Sequence, residues 1–98
     1  MLKALTKKEI IDQLQDSEKW IIKTQELQRV WIFDNFQEAM SFIIRVAFLA
    51  EQNNHHPVIK NVYNRVELQL NTHDADNQVT ELDIALANSI NQIGLGSE

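Results

Sequence analysis

Glycine and proline are nearly absent from this chain, and their positions limit how it can fold. Of its 98 residues only two are glycine, both within the last five positions, and the single proline is Pro57. The residue before a proline is pushed out of the helical region, so a helix that approaches Pro57 must end before it. The scarcity of both residue types predicts compact helices and strands joined by short turns.

Capping signals predict three helices. Thr6 is followed three residues later by a glutamate, the spacing of a capping box, which predicts a first helix over residues 6–15. Asp34 or Asn35 is expected to begin the second helix. Thr80 is expected to begin the third, whose predicted inner face consists of Leu82, Ala85, Leu86, Ser89, Ile90 and Ile93.

The second helix has apolar side chains around most of its circumference. These residues are Met40, Phe42, Ile43, Ile44, Val46, Ala47, Phe48 and Leu49. A helix with this distribution is buried on more than one side. In a domain this small we expect the second side to contact another subunit, so the sequence predicts a homo-oligomer.

Two pairs of short segments predict strands. Residues 20–22 and 30–33 are rich in β-branched and aromatic side chains, and a polar turn over residues 25–28 is expected to join them. Over residues 65–71 apolar and polar side chains alternate strictly, which indicates a strand with one buried and one open face. Residues 58–63 are the predicted hairpin partner of that strand.

The resulting order, α-β-β-α-β-β-α, predicts an α+β fold for a single domain over residues 1–98. We expect a four-stranded antiparallel sheet with three helices packed on one face, leaving the other face to solvent or a ligand. A chain of this length can form one stable core without disulfides, and it contains no cysteine.

Charge and hydropathy exclude several classes of protein. The net charge is −5 and the nine lysines and arginines are scattered, whereas direct binding of DNA or RNA needs a basic patch. The longest apolar-rich stretch, residues 39–50, contains Arg45 and is too short to span a membrane. No apolar run of signal-peptide length lies near Met1. These features predict a cytoplasmic protein that binds neither nucleic acid nor membranes.

All three histidines lie within residues 51–83, together with carboxylates that could orient them. Histidine has the unperturbed pKa closest to neutrality, so it can both give and take a proton at cellular pH. His55 and His56 fall at the end of the second helix, where they could also bind its last carbonyls. If the last strand continues to His73, alternation places that side chain on the open face. The composition is that of a proton-transfer site.

The neighbouring residues each have a structural interpretation beside the chemical one. Glu51 lies four residues before His55 and could fix its tautomer, or could be an ordinary exposed helix carboxylate. Asp83 stands three residues after Thr80, the position of a capping-box partner. Tyr63 could stack on a flat ligand or pack within its strand.

A metal site is the alternative chemistry for these residues. Three histidines and a carboxylate could bind zinc or iron with one coordination position left open. However, adjacent histidines such as His55 and His56 rarely converge on one ion, and no two histidines are spaced as helical i, i+4 ligands. A proton-transfer site without metal is therefore the favoured interpretation.

Taken together, the spacing of these residues resembles the signature of the pterin-4a-carbinolamine dehydratases. The matching residues and segments are Glu51, His55-His56-Pro57, 61–66, Leu70, 72–74, Asp83, Leu86-Ala87 and Ile90. The resemblance covers essentially the whole chain. It implies a lyase that dehydrates 4a-hydroxytetrahydrobiopterin, or a related pterin, to the quinonoid dihydropterin. Such an enzyme serves the recycling of a hydroxylase cofactor, and the pterin is its substrate, with no other cofactor implied.

The resemblance also implies roles for individual residues. His55 is the leading acid/base group, His56 and His73 complete the pocket around the 4a-hydroxyl and can share proton transfer, and Glu51 and Asp83 orient the imidazoles or bind polar edges of the ring. The residues expected to contact the pterin are His55, His56, Pro57, Tyr63, Thr72 and His73. The resemblance further implies a homodimer or homotetramer, since members of the family form dimers and tetramers. The alternative is a non-catalytic member that acts as a binding or assembly module, since animal members also bind a transcription factor.

Two positions depart from the family pattern. Ile59 stands where many members have an aromatic residue, and the turn after His73 contains no glycine. Asn77 lies in that turn, and asparagine accommodates the left-handed backbone conformation better than most residues.

Overall fold

A computed structural model describes residues 2–93, and within this range it contains three α-helices and four strands. The helices are α1 (Lys7–Gln13), α2 (Phe36–Asn53) and α3 (Glu81–Asn91), and the strands are β1 (Ile21–Ile22), β2 (Leu27–Ile32), β3 (Val58–Val62) and β4 (Arg65–Leu70). Single 3-10 turns occur at Ser17–Lys19 and His73–Ala75. The predicted order of helices and strands is confirmed.

The strands form one antiparallel sheet in the order β1-β2-β4-β3. The register pairs Leu27 with Leu70 and Trp31 with Val66 across β2 and β4. The predicted hairpin of β3 and β4 is present, with Ile59 opposite Leu68. The four-stranded antiparallel sheet of the predicted α+β fold is therefore confirmed.

One face of the sheet is covered by all three helices. Alternate residues of β4 and one buried residue from each helix belong to a single cluster, which includes Val66, Leu68, Leu70, Ile10, Phe42 and Leu86. Aromatic rings fill the space between α2 and β2, and the ring centroids of Trp31 and Phe42 are 4.7 Å apart. Because the helices lie on this face, the polar alternation of β4 points to the other face.

The opposite face has an ionic network at its centre. Arg65 donates to Glu67 over 3.2 Å, and the Gln69 side chain donates to the second carboxylate oxygen over 2.6 Å. Lys60 of β3 lies 3.9 Å from that same oxygen. These neighbours leave only 9% of the Glu67 side chain exposed, so the face predicted to be open is partly covered by its own polar side chains.

The turn between β1 and β2 was predicted too late in the chain. It lies over residues 23–26, where the Lys23 N–H donates to the Glu26 carbonyl over 3.0 Å. Leu27 is fully buried and already pairs with Leu70, so β2 begins there. Burial of this leucine outweighs the polar sequence around it, which is why the prediction of a turn over residues 25–28 is wrong.

The inner face of α3 is also rotated from the predicted one. Leu86 and Ile90 are buried as expected, but Ala85 is exposed while Ile84 and Ala87 are buried. The N-terminal end of the helix faces inwards because Asp83 is fully buried there. A polar side chain thus shares the buried side of the helix with Ile84 and Ala87.

Five residues other than glycine have a positive φ, and each lies in a turn or at the end of a helix: Asp16, Asn54, Tyr63, Asp76 and Asn77. Asn77 has φ 59°, which agrees with the conformation that its type accommodates. This is how the described part of the chain makes its turns without glycine.

Candidate active site

The end of α2 sets the position of His55. Asn54 adopts a left-handed conformation with φ 49°, and the His55 N–H donates to the Ala50 carbonyl over 3.0 Å. This 6→1 hydrogen bond is typical of a Schellman motif, which ends a helix sharply. The His55 side chain is thereby directed to the first turn of α3, and only 12% of it is exposed.

His55 and Asp83 form a carboxylate–imidazole pair. Nε2 of His55 lies 2.5 Å from Oδ1 of Asp83, whose side chain is fully buried. A carboxylate accepts hydrogen bonds only, so Nε2 carries the proton in this contact. This arrangement fixes the tautomer and the orientation of the ring.

The second ring nitrogen of His55 is left available. Nδ1 has no hydrogen-bond partner among residues 2–93, and within that range no buried polar side-chain atom lacks a partner. Nδ1 therefore reaches the surface. A neutral imidazole protonated at Nε2 presents a lone pair at Nδ1, and an imidazolium presents a proton there. His55 can exchange a proton with a bound molecule while Asp83 fixes its position.

Asp83 also caps α3. Its Oδ2 accepts from the Thr80 N–H over 2.9 Å, completing the predicted capping box, and from the Thr72 hydroxyl over 2.8 Å. The Thr72 and Thr80 hydroxyl oxygens are 2.7 Å apart. Asp83 is therefore both a helix cap and the partner of an imidazole, so both interpretations of this residue apply. The hydroxyl contacts were not predicted, because Thr72 was assigned to the pterin instead.

Glu51 contacts His56 and not His55. Nε2 of His56 lies 2.5 Å from the Glu51 carboxylate, and the two side chains are 59% and 76% exposed. The predicted contact with His55 is wrong because α2 ends at Asn53, and the left-handed Asn54 removes His55 from the helical i, i+4 position. A contact this exposed contributes little to stability.

The side chain of His73 points into solvent and does not contact the His55–Asp83 pair. β4 ends at Leu70, and His73 begins a 3-10 turn, so the strand does not continue to it and the predicted alternation does not apply. Its side chain is 93% exposed, and Nδ1 lies 3.6 Å from Asp74. His73 directly follows Thr72, whose hydroxyl contacts Asp83. The histidine is therefore one residue along the chain from the hydrogen-bond network of Asp83, but its side chain is not part of that network.

Tyr63 and Pro57 lie at opposite ends of the β3–β4 hairpin. Pro57 precedes β3 beside the histidines, whereas Tyr63 follows that strand, in the turn before β4, and is 61% exposed. At about 3.3 Å per residue, the six steps along the chain from Pro57 to Tyr63 span about 20 Å. Within one subunit the structure brings Pro57, but not Tyr63, to the histidines.

Metal ligands do not converge at this site. Across residues 2–93 no group of three or more histidine, aspartate or glutamate side chains is arranged to hold an ion. An apolar groove of about 390 Å³ lies elsewhere, between α2 and α3, lined by Arg45, Phe48, Leu49, Ser89, Gln92 and Ile93. None of the predicted site residues lines that groove, and we take the surface around His55 as the candidate active site. No helix in the described range is long and apolar enough to cross a membrane.

Comparison with known proteins gives the class of protein, the pterin dehydratases, and the fold agrees with that class. The chain belongs to the family described as pterin 4 alpha carbinolamine dehydratase, which matches residues 3–93. A relative from Sulfurisphaera tokodaii, provisionally named pterin-4-alpha-carbinolamine dehydratase, is 38% identical over 94% of this chain and 98% of its own. One of the same name from Opitutus terrae is 43% identical over 91% and 92% of the two chains.

A solved structure has the same fold. The crystal structure of a protein from Brucella melitensis, described as a transcriptional coactivator/pterin dehydratase, matches with a TM-score of 0.79 and 36% sequence identity. The match covers 91% of this chain and 96% of the other. The predicted resemblance is therefore confirmed at the level of family and fold.

Proposed function

We propose that this protein dehydrates a 4a-hydroxytetrahydropterin, such as 4a-hydroxytetrahydrobiopterin, to the quinonoid dihydropterin and water. The observation that carries the proposal is the surface-accessible Nδ1 of His55 on a ring whose Nε2 is bound by the buried Asp83. The names of the relatives support a pterin as the class of substrate.

The reaction involves two proton transfers, one to the departing hydroxyl and one from N5. No second reagent is oxidised or reduced. The C4a–O bond breaks as an acid protonates the departing hydroxyl, which leaves as water. A base takes the N5 proton, and the N–H electron pair forms the N5–C4a double bond. Substrate and product differ by one water molecule, so the proposed step needs neither a redox cofactor nor a metal.

His55 is the proposed base. In the tautomer that Asp83 fixes, Nδ1 has the lone pair that can accept the N5 proton. The resulting imidazolium is stabilised by the adjacent carboxylate through a charge-assisted hydrogen bond. His56 or His73, both largely exposed, then supplies the proton to the hydroxyl. A positioned acid or base of this kind contributes roughly 10²–10⁴-fold to the rate.

The test is stopped-flow absorbance of chemically generated 4a-hydroxytetrahydropterin with and without the protein. We expect wild-type protein to accelerate the loss of substrate, and His55→Ala to lower kcat/KM by roughly 10²–10⁴-fold. Gln52→Ala, at an exposed position on the same end of α2, is the control and should retain activity. Wild-type turnover by a folded His55→Ala variant would refute the role of His55.

A second candidate is a binding module without catalysis. It is favoured by the description of the Brucella melitensis relative as a transcriptional coactivator. A folded wild-type protein that neither accelerates the reaction nor binds a dihydropterin in calorimetry would support this candidate. Micromolar binding together with turnover would exclude it.

We also propose that the protein is a homo-oligomer that buries the outer face of α2. Ile44 and Phe48 on that face are 52% and 66% exposed, and Ala47 between them is exposed as well. The three residues, here called the α2 patch, include no acidic side chain although the chain has a net charge of −5. Two copies could therefore meet through the same patch without repulsion at its centre, as a two-fold interface requires.

A further inference from the structure

We infer that the Thr72 hydroxyl is a positioning group for His55, acting through Asp83, a role that rests on the function proposed above. The sequence assigned Thr72 to direct contact with the pterin. The structure leaves only 3% of Thr72 exposed and directs its hydroxyl to Oδ2 of Asp83 at 2.8 Å. The hydroxyl is therefore occupied on the inner side of the carboxylate, away from the surface where Nδ1 of His55 would meet a substrate.

The directions of the hydrogen bonds follow from the number of protons. Thr72 has one hydroxyl proton and donates it to Asp83, so the contact of 2.7 Å between the two threonine hydroxyls requires Thr80 to donate to Thr72. Thr80 can do so because its oxygen accepts from the Leu82 N–H over 3.2 Å. The result is a series of hydrogen bonds in which Thr80 donates to Thr72 and Thr72 donates to Asp83. The other oxygen of Asp83 accepts a hydrogen bond from Nε2 of His55.

Thr72 is itself fixed by backbone hydrogen bonds. Its N–H donates to the Gln78 carbonyl over 2.9 Å, and its carbonyl accepts from the Ala75 N–H over 3.0 Å. The backbone position of Thr72 is thus set independently of Asp83. This small loop, closed by the bridge between Thr72 and Gln78, transmits its geometry to the active site.

Two donors on Oδ2 determine the plane of the carboxylate. The Thr80 N–H alone would allow rotation about the final side-chain torsion of Asp83, which has a broad energy profile. The Thr72 hydroxyl adds a second direction and leaves Oδ1 facing His55. Loss of that hydroxyl should therefore loosen the orientation of the imidazole and its preference for the Nε2–H tautomer.

The test compares Thr72→Val, which removes the hydroxyl at nearly constant shape, with Thr72→Ser, which retains it. We expect Thr72→Val to lower kcat roughly 10–100-fold, by analogy with the loss of a partner that orients a metal-binding histidine, with little change in KM. Thr72→Ser should restore kcat to within a few-fold of the wild-type value. Thr24→Val, a change of the same kind at a half-buried loop position outside the site, is the matched control.

A second readout does not depend on activity. Nitrogen-15 NMR of the His55 imidazole reports the tautomer directly, and we expect one Nε2–H form in the wild type and in Thr72→Ser, but a mixture in Thr72→Val. This change in a protein without dehydratase activity would support the positioning role and refute the proposed function. A single tautomer with wild-type kcat in Thr72→Val would overturn the inference, as would a rise in KM alone.

A folding defect in Thr72→Val would not prevent the test. Thr72→Cys keeps a side chain of similar size with only a weak donor, so its kcat and tautomer purity should fall below those of Thr72→Ser. Equal values in the cysteine and serine variants would contradict the inference.

Discussion

His55 and Asp83 are 28 positions apart in the chain, yet Nε2 of one lies 2.5 Å from Oδ1 of the other. The contact connects the end of α2 to the first turn of α3. Through its other oxygen, Asp83 accepts from the Thr80 N–H and so caps α3. One buried carboxylate therefore serves a helix and a proposed catalytic base together.

Replacement of Asp83 should reduce stability and activity in the same variant. In Asp83→Asn one of the two oxygens becomes an NH₂ group, which cannot accept a hydrogen bond. The side chain therefore loses either the hydrogen bond from His55 or those from Thr72 and Thr80. We expect the free energy of unfolding to fall by about 1–3 kcal/mol. We expect kcat/KM to fall roughly 10²-fold or more, because the tautomer of the base is no longer fixed. Urea unfolding and stopped-flow kinetics measure the two effects.

Glu51→Gln is the matched comparison for that variant. It makes the same chemical change at the exposed pair with His56, where the side chains are 76% and 59% exposed. The free energy of unfolding should change by less than about 1 kcal/mol. Equal destabilisation by the two variants would show that the burial of Asp83 does not have the significance assigned to it.

The α2 patch should govern the oligomeric state. Phe48→Glu places a charge where two patches would meet, and we expect it to shift the protein to monomers in light scattering coupled to gel filtration. Phe36→Glu is the control, since Phe36 is also exposed on α2 but lies at its first residue. A wild-type protein that is already monomeric at high concentration would refute the proposed interface.

Tyr63 offers a test of backbone strain and of substrate contact together. Its φ of 48° is left-handed, which costs a residue with a Cβ about 1 kcal/mol relative to glycine. We expect Tyr63→Gly to be more stable than Tyr63→Ala by about 1 kcal/mol in thermal unfolding. Both variants should retain kcat/KM, because Tyr63 lies at the far end of the hairpin from Pro57. Equal loss of activity in both would restore the predicted contact with the pterin.

Glu67 should make the stability depend on pH in the acid range. The Gln69 side-chain amide, assisted by Arg65 and Lys60, lowers the pKa of Glu67 below its usual value, although partial burial opposes the shift. A carboxylate with a lowered pKa stabilises the fold above its unfolded pKa, near 4.3, and that contribution is lost as pH falls through the folded pKa. We expect the stability difference between wild type and Glu67→Gln to shrink below about pH 4, measured by urea unfolding. A difference that is constant with pH would contradict this.

Much of the fold could be predicted from local signals. The capping boxes at Thr6 and Thr80 and the alternation of β4 reported interactions within one helix or strand, and these are visible in the sequence. The turn before Leu27 was misplaced because the burial of that leucine depends on Leu70, which is distant in the chain. Contacts of that kind leave no local pattern.

The site was less accessible to sequence reasoning for the same physical reason. The histidines and both carboxylates were identified, but their pairing was not, because the left-handed Asn54 takes the residues that follow α2 out of the helical i, i+4 spacing. The Thr72 hydroxyl was likewise assigned to the substrate, since nothing in the sequence indicates that it is buried against Asp83. Residue types reveal the chemistry, whereas the three-dimensional contacts determine the partners.

The double use of Asp83 has a consequence for how the protein loses activity. When the first turn of α3 frays, the Thr80 N–H is released from Asp83 and exchanges with solvent, and the support of His55 is lost in the same motion. Under mild denaturant, amide exchange at Thr80 should therefore increase at the same denaturant concentrations at which activity is lost. Exchange in β4 should increase only at higher concentrations. The active site would then report local opening of one helix end before the core unfolds.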